Sequence, residues 1–266
     1  MLKRLKVVSM LLCCSLLFVG CTSKGEGGSA NTEEKKAVEL NISAAASLKE
    51  VMADLETEYK NTNENVTLVV NYGSSGSLQQ QIEQGAPCDL FISAGQKQMN
   101  TLKDEGLLVD DTTKDLVENS LVLIAANGIE INSFDDLKSD KITHIAVGEP
   151  DSVPAGKYAD EVLVNSGIKE SISDKLVFAK DVKEVLAWVA SGNADVRFVY
   201  LSDALSNNNV TIVENIEEVN NHSSITYPVS VIKDAKNIDE AKAFENFLFT
   251  DEAKKIFEKY GYKVES

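Results

Sequence analysis

Apolar and polar positions along this chain follow two periods, and the chain switches repeatedly from one to the other. Val38-Glu39-Leu40-Asn41-Ile42 alternates with a period of two, the pattern of a half-buried strand. Past Ser47, the residues Leu48, Val51, Met52, Leu55 and Tyr59 recur at three- and four-residue steps, which predicts a helix. The switch repeats with a strand over 66–70, a helix opened by Ser77 that carries Leu78 and Ile82 and stops at Gly85, a short apolar strand over 89–92, and a helix over 96–105. Further strands are predicted at 121–125, 144–147, 196–200 and 229–232. A helix follows Pro154 as far as Ser166, where Gly167 ends it. Another follows Asp181, with Val182, Val185, Leu186 and Val189 on one face, and ends at Gly192. Residues 238–257 supply the closing helices. Such alternation predicts an α/β fold with helices on both faces of a sheet.

The first residues read as an address. Lys3, Arg4 and Lys6 precede an apolar stretch over 7–19, shorter than the roughly 20 residues that span a bilayer. It ends Leu17-Phe18-Val19-Gly20-Cys21, which resembles a bacterial lipoprotein signal in which Cys21 becomes the lipidated first residue. Phe18 departs from the Leu usual at its position, and an ordinary secretory signal or an uncleaved anchor is the alternative. Residues 1–20 are therefore expected to be signal, and 21–37 a flexible polar tether.

Charge and cysteine content narrow the function. The 266 residues hold 26 Lys and Arg against 42 Asp and Glu, a net charge of −16. Without the three basic residues of the signal, 23 face 42 and the charge becomes −19. Neutralising nucleic-acid phosphates needs a basic face, so a nucleic-acid partner is excluded, as is electrostatic docking on an anionic membrane. Cys13 and Cys14 leave with the signal and Cys21 carries lipid, so Cys88 has no partner for an internal disulfide. The length suits one large domain or two lobes of roughly 100–150 residues.

Catalytic apparatus is thin. Gly73-Ser74-Ser75-Gly76-Ser77 fails the Gly-x-Ser-x-Gly register of a nucleophile elbow, since Ser occupies position 77. Of the two histidines, His144 opens an apolar strand and His222 lies in a polar loop, which reads as satisfied or exposed side chains. No phosphate loop, His-Glu-x-x-His zinc motif or calcium loop occurs. What recurs is a small or hydroxyl-bearing helix start directly after a strand: Ala45-Ala46-Ser47, Gly73-Ser74-Ser75-Gly76, Pro154-Ala155-Gly156 and Asp181-Val182. First-turn N–H groups are unpaired and carry the positive end of the helix dipole. In open α/β sheets these ends gather where ligands bind, so they suit a small anion. Ser and Asp are equally ordinary N-caps, and the residues alone leave both readings open.

The order of several segments adds a resemblance. Ala44-Ala45-Ala46-Ser47-Leu48 is followed by Tyr72-Gly73-Ser74-Ser75-Gly76-Ser77-Leu78 and by Gly85-Ala86-Pro87-Cys88-Asp89-Leu90-Phe91-Ile92-Ser93-Ala94. Next come Ala146-Val147-Gly148-Glu149-Pro150, Val153-Pro154-Ala155-Gly156, Val199-Tyr200-Leu201-Ser202-Asp203-Ala204 and finally Ile256-Phe257-Glu258-Lys259-Tyr260-Gly261-Tyr262. Together they resemble the molybdate-binding proteins of bacterial ABC importers, over nearly everything past the tether. The resemblance implies a two-lobed, type II periplasmic-binding-protein-like α/β fold with the ligand cleft between lobes. Lobe 1 is expected to be 38–119 plus 224–266, and lobe 2 to be 120–223. It implies a monomeric binding protein, not an enzyme, that needs no cofactor. Lipid-anchored outside the bacterial cell membrane through Cys21, it would deliver molybdate or tungstate to an ABC permease and its ATPase.

Carried over residue by residue, the oxyanion ligands fall on Ser47, Ser75, Ala155, Val182 and Tyr200, with molybdenum held through its oxygens. None of the five is charged, so no fixed cation has to be desolvated. A protonated anion such as phosphate would bring a donor with no acceptor, at about 1–3 kcal/mol. A receptor for another tetrahedral oxyanion such as sulfate is the nearest alternative, and a serine hydrolase using Ser75 the alternative of a different class. Two residues depart from the family pattern: Cys88 stands where Ala is usual, and Arg197 where Gly often stands. Arg197, three residues before Tyr200, should point away from it. As a long cation it should reach solvent or a carboxylate, and it reads as a burden on stability.

Overall fold

The computed structural model describes residues 36–190, 194–216 and 222–264. The expected signal, Cys21, nearly all of the tether and Gly192 lie outside them. Two five-stranded sheets organise the rest. In the first, β1 (Val38–Ala45) lies between β2 (Val66–Gly73) and β3 (Leu90–Ile92), all parallel, with Val38 opposite Val66 and Ile42 opposite Leu90. Strand β4 (Lys114–Asn119) forms the far edge, joined through the late strand β10 (Ile225–Val231), which runs antiparallel to both β3 and β4. The second sheet repeats this plan. β5 (Leu121–Ala126) is antiparallel to β8 (Val196–Tyr200) and to the edge strand β9 (Val210–Asn215), while β6 (Ile145–Gly148) pairs in parallel with β7 (Leu176–Ala179) and β8. The chain passes from the first sheet to the second between Asn119 and Leu121.

The strand orders place the helices. From β1 the chain steps outward to β2 through α1 (Lys49–Lys60), then back past β1 to β3 through α2 (Ser75–Glu83). Right-handed crossovers in opposite directions put the two helices on opposite faces. Accordingly α1 packs with the closing helices α7 (Ile238–Leu248) and α8 (Asp251–Lys259), while α2 packs with α3 (Gln96–Asp104). Tyr59 of α1 meets Phe244 of α7 edge-on at 4.9 Å. On the other face Leu78, Ile82, Phe91, Met99 and Leu102 form a separate apolar cluster. In the second sheet α4 (Pro154–Asn165) and α5 (Val182–Ala190) are divided between the faces by the same rule, and the short α6 (Leu201–Leu205) follows β8.

Local chemistry explains most of the helix boundaries. Pro154 occupies the first turn of α4, where a missing N–H costs nothing. Asp181 Oδ1 accepts from the Glu184 N–H at 2.8 Å and caps α5. Two boundaries differ from those read along the chain. Helix α2 starts at Ser75 and not Ser77, because Ser74 Oγ takes the Ser77 N–H at 3.3 Å. The closing stretch divides at Thr250, whose Oγ1 caps α8 by accepting from the Ala253 N–H at 3.3 Å. Strand β10 opens at Ile225, before the predicted 229, and its register shifts between Tyr227 and Pro228, where proline has no N–H to give the ladder. Strands β4, β7 and β9 were not foreseen.

Arg197 reaches neither solvent nor a carboxylate as a hydrogen-bond partner, which corrects the expectation. It is fully buried, and its guanidinium donates to the carbonyls of Val185 and Leu186 at 3.2 Å and of Ala194 at 3.3 Å. Burial pushes its pKa down to about 10, against the pull of Asp195. The side chain fills the space between β8 and α5 and ties the helix to the sheet. Arg197→Gly should therefore lower stability, through the void and the lost bonds, by about 2–4 kcal/mol. A thermal scan should show a fall of about 4 °C or more; an unchanged or raised midpoint would show that the arginine is a burden after all.

Candidate functional site

The C-terminal ends of β1, β2 and β8 and the starts of α2, α4 and α5 converge on one small cavity. Its walls are Ala45 at the end of β1 with Ala46 and Ser47 after it, Gly73 at the end of β2 with Ser74 and Ser75 at the head of α2, and Ala94 beyond β3. Val153, Pro154 and Ala155 at the head of α4, Val182 at the head of α5 and Tyr200 at the end of β8 complete them. All five residues singled out from the sequence therefore face the same space, which is formed from both sheets. The space is narrow, about 10 Å³, far below the roughly 300–1,000 Å³ of sites for drug-sized ligands.

Among the described residues no charged side chain lines this cavity. Its polarity comes from hydroxyls and helix starts. Ser75 Oγ accepts the Ala94 N–H at 2.9 Å, so its own proton is left to donate. Ser47 Oγ lies 2.9 Å from the Tyr227 hydroxyl. The Tyr200 hydroxyl is buried without a hydrogen-bond partner. Burial holds its pKa well above the ordinary tyrosine range, so it stays protonated and remains a donor. Ala155 and Val182 sit in the first turns of α4 and α5, whose N–H groups have no carbonyl one turn earlier to accept them. The dipoles of these helices point their positive ends inward. Hydroxyl donors, unpaired amides and no acceptor carboxylate make a receptor for a small anion.

Close contacts hold the two halves together around the cavity. The Gly76 N–H of α2 donates to the Ser152 carbonyl of the second half at 3.0 Å. A Cβ on Gly76 would stand 2.6 Å from that oxygen, so only glycine permits this approach. Gly156 serves within the second half, where a Cβ would meet the Gly148 carbonyl oxygen at 2.1 Å and lift α4 off β6. Beside Val182, Lys183 bridges Glu50 of α1 at 2.5 Å and the fully buried Asp203 of α6 at 2.7 Å. Burial pushes Asp203 up to about 6, although Lys183 draws it down. Burial alone would lower Lys183, but Asp203 and Glu50 outweigh it and hold the amine above its ordinary value.

Periodicity and motif spacing missed several of these residues. Tyr227, Lys183 and Glu50 come from distant parts of the chain and fell in no quoted motif, while Gly76 and Asp203 lay inside quoted motifs without being singled out. The histidines stand apart: His144 is exposed, and neither it nor His222 lines the cavity. Among the described residues no group of three or more His, Cys, Asp or Glu could hold a metal ion.

The bridge has a pH signature. Because the folded pKa of Asp203 lies above its unfolded value, its ionised form costs stability, a cost absent below about pH 4 and complete above about pH 6. Removing Lys183 leaves that carboxylate unpaired and extends the window upward. Lys183→Met should then lose about 3 kcal/mol near pH 8 and far less near pH 5. Melting curves at both pH values test this, and equal losses would show that the pair carries no such linkage.

Comparison with known proteins agrees with this geometry. The profile of the bacterial extracellular solute-binding proteins matches residues 40–263. A Bacillus subtilis protein provisionally named as a substrate-binding lipoprotein of an ABC transporter is 40% identical, over 100% of both chains. The molybdate-binding protein ModA of Escherichia coli is 37% identical, over 93% of this chain and 97% of its own. A solved substrate-binding domain from Clostridium difficile, provisionally assigned to a molybdenum ABC transporter, is 64% identical, covers 86% of this chain and 100% of its own, and superposes with a TM-score of 0.68. These are families of binding proteins and not of enzymes, which removes the serine-hydrolase reading. The chain belongs to the bacterial extracellular solute-binding proteins, and within them to the family of the molybdate-binding proteins.

Proposed function

We propose that this protein captures molybdate, and tungstate as well, outside the cytoplasmic membrane and delivers it to an ABC permease and its ATPase. The observation that carries this reading is the donor-only cavity at the meeting of helix starts, in a chain 37% identical to a molybdate-binding protein. Ser47, Ser75 and Tyr200 would donate through hydroxyls, and Ala155 and Val182 through backbone N–H groups. The two sheets would belong to lobes, 38–119 with 224–266 and 120–223, that close on the anion. The lipoprotein name of the Bacillus subtilis relative supports an anchor on Cys21, which would supply location and not affinity. A monomer suffices, because one chain supplies every wall of the cavity.

Sulfate also lacks a proton to donate at neutral pH and is the competing ligand. A thermal-shift panel of molybdate, tungstate, sulfate and phosphate separates the readings. Ligand at 100 times its dissociation constant adds about 2.7 kcal/mol, so molybdate and tungstate should raise the midpoint clearly and phosphate should not. Equal shifts from phosphate and molybdate would overturn the selectivity, and a larger shift from sulfate would reassign the ligand.

Two sets of variants test the residues. Ser47→Ala and Ser75→Ala each remove a charge-assisted hydrogen bond of about 1.5–3 kcal/mol, so calorimetry should show molybdate binding weakened about tenfold or more with the fold intact. Gly76→Ala places a methyl against Ser152 and should oppose closure, for a loss of about tenfold or more. Parent-like affinity in Gly76→Ala would mean that binding does not need this contact.

A further inference from the structure

Whether a serine in this site donates or accepts decides which protonation states of an anion it admits, and a chain of hydrogen bonds behind Ser47 sets that direction. The chain starts at a group with no choice. The backbone N–H of Ser120, where the polypeptide crosses between sheets, can only donate, and it donates to Asn119 Oδ1 at 2.8 Å. That contact fixes the Asn119 amide, so its Nδ2 faces the other way. Nδ2 likewise only donates, and its two hydrogens go to Ser202 Oγ at 2.9 Å and to the Tyr227 hydroxyl at 3.3 Å. Ser47 Oγ lies 2.9 Å from the Tyr227 hydroxyl, and either oxygen can be the donor of that bond; the donation from Asn119 favours the arrangement in which Tyr227 gives its own proton to Ser47. Tyr227 is fully buried, and burial keeps its pKa well above the ordinary range, so that proton stays in place. In that arrangement Ser47 Oγ is an acceptor toward Tyr227 and has its hydrogen left for the cavity. The Tyr262 hydroxyl holds the Ser47 carbonyl at 3.0 Å and fixes the backbone of the same residue.

We propose that Asn119 and Tyr227 are positioning residues which hold the Ser47 hydroxyl as a donor and so make the site selective for oxyanions that carry no proton. This deepens the molybdate reading and rests on it. Ser75 reaches the same state more directly, because its Oγ is committed to the Ala94 N–H. Both serines thus owe their direction to a backbone N–H, at one remove for Ser75 and at three for Ser47. With the direction set, a protonated anion such as phosphate meets Ser47 hydrogen to hydrogen. When the direction is released, Ser47 can rotate and accept that proton.

The test is a set of isothermal titrations at neutral pH with molybdate as the proton-free probe and phosphate as the proton-bearing one. In Tyr227→Phe the ring stays and only the hydroxyl is lost. Molybdate affinity should fall about three- to tenfold, and the preference for molybdate over phosphate should narrow by about tenfold or more. Asn119→Ala, which leaves Tyr227 in place but free to turn, should narrow the preference in the same direction and serves if Tyr227→Phe does not fold. On a Ser47→Ala background, Tyr227→Phe should change the preference no further, because the hydroxyl it directs is gone. A merely structural tyrosine would weaken both anions alike on either background, and that result overturns the proposal while leaving the molybdate reading standing. A parent protein that binds none of the oxyanions overturns both.

Discussion

An anion placed in this cavity would have to be held without a counter-charge from any wall residue among the described ones. Lys183 adjoins Val182 in the chain but is shared between Glu50 and Asp203. Stabilisation must then come from groups with partial charge, each of which counts only if it is aimed before the ligand arrives. The helix starts contribute about half an elementary charge each, within their first turn. The hydroxyls contribute direction: Ser75 and Ser47 have their oxygens committed behind them, and Tyr200 keeps an unpaired proton in a place too buried to ionise. The surrounding charge of −16 does not defeat this arrangement, since salt screens exposed charges beyond about 8–10 Å.

The same constraint explains why the contacts between the halves are so close. Partial charges act over short distances, so groups from both sheets must stand close around the cavity to act together. Gly76 lets α2 reach the backbone at Ser152 directly, and Gly95 stands where an added Cβ would press on Pro154 at 3.3 Å. The Glu50–Lys183–Asp203 bridge adds an ionic contact beside the cavity. A buried pair of this kind contributes little net stability once desolvation is counted, but it penalises any arrangement that separates its members. Its value here is geometric, because it sets α5 against α1 with Val182 facing the site.

Legibility from the sequence followed burial. Every strand foreseen along the chain lies inside a sheet or is β2, whose alternating Val66, Leu68 and Val70 declare an inward face. The three strands missed, β4, β7 and β9, are all sheet edges. An edge strand has one neighbour and partial exposure, so its residues need not be apolar, as Lys114-Asp115 and Asn215 illustrate. At Arg197 the reading went wrong for a different reason. Strand alternation gave its side correctly, but nothing local announces that helix carbonyls wait on that side to receive a guanidinium.

The sequence by itself determined the α/β alternation, the helix starts with their hydroxyls, the acidic surface and, through ordered motifs, the five residues that line the cavity. These are properties of short segments: periodicity, capping chemistry and turn residues act over a few positions and can be read there. What only the tertiary structure decided is which groups stand behind the site. Asn119, Tyr227 and Ser47 are separated by up to 180 positions, yet form one hydrogen-bonded chain. Glu50 and Lys183 are 133 positions apart, and the Gly76 N–H meets the Ser152 carbonyl beside the cavity. Hydrogen bonds and ion pairs depend on distances of a few ångström and on angle. The packing of two sheets sets those quantities, and no local pattern carries them.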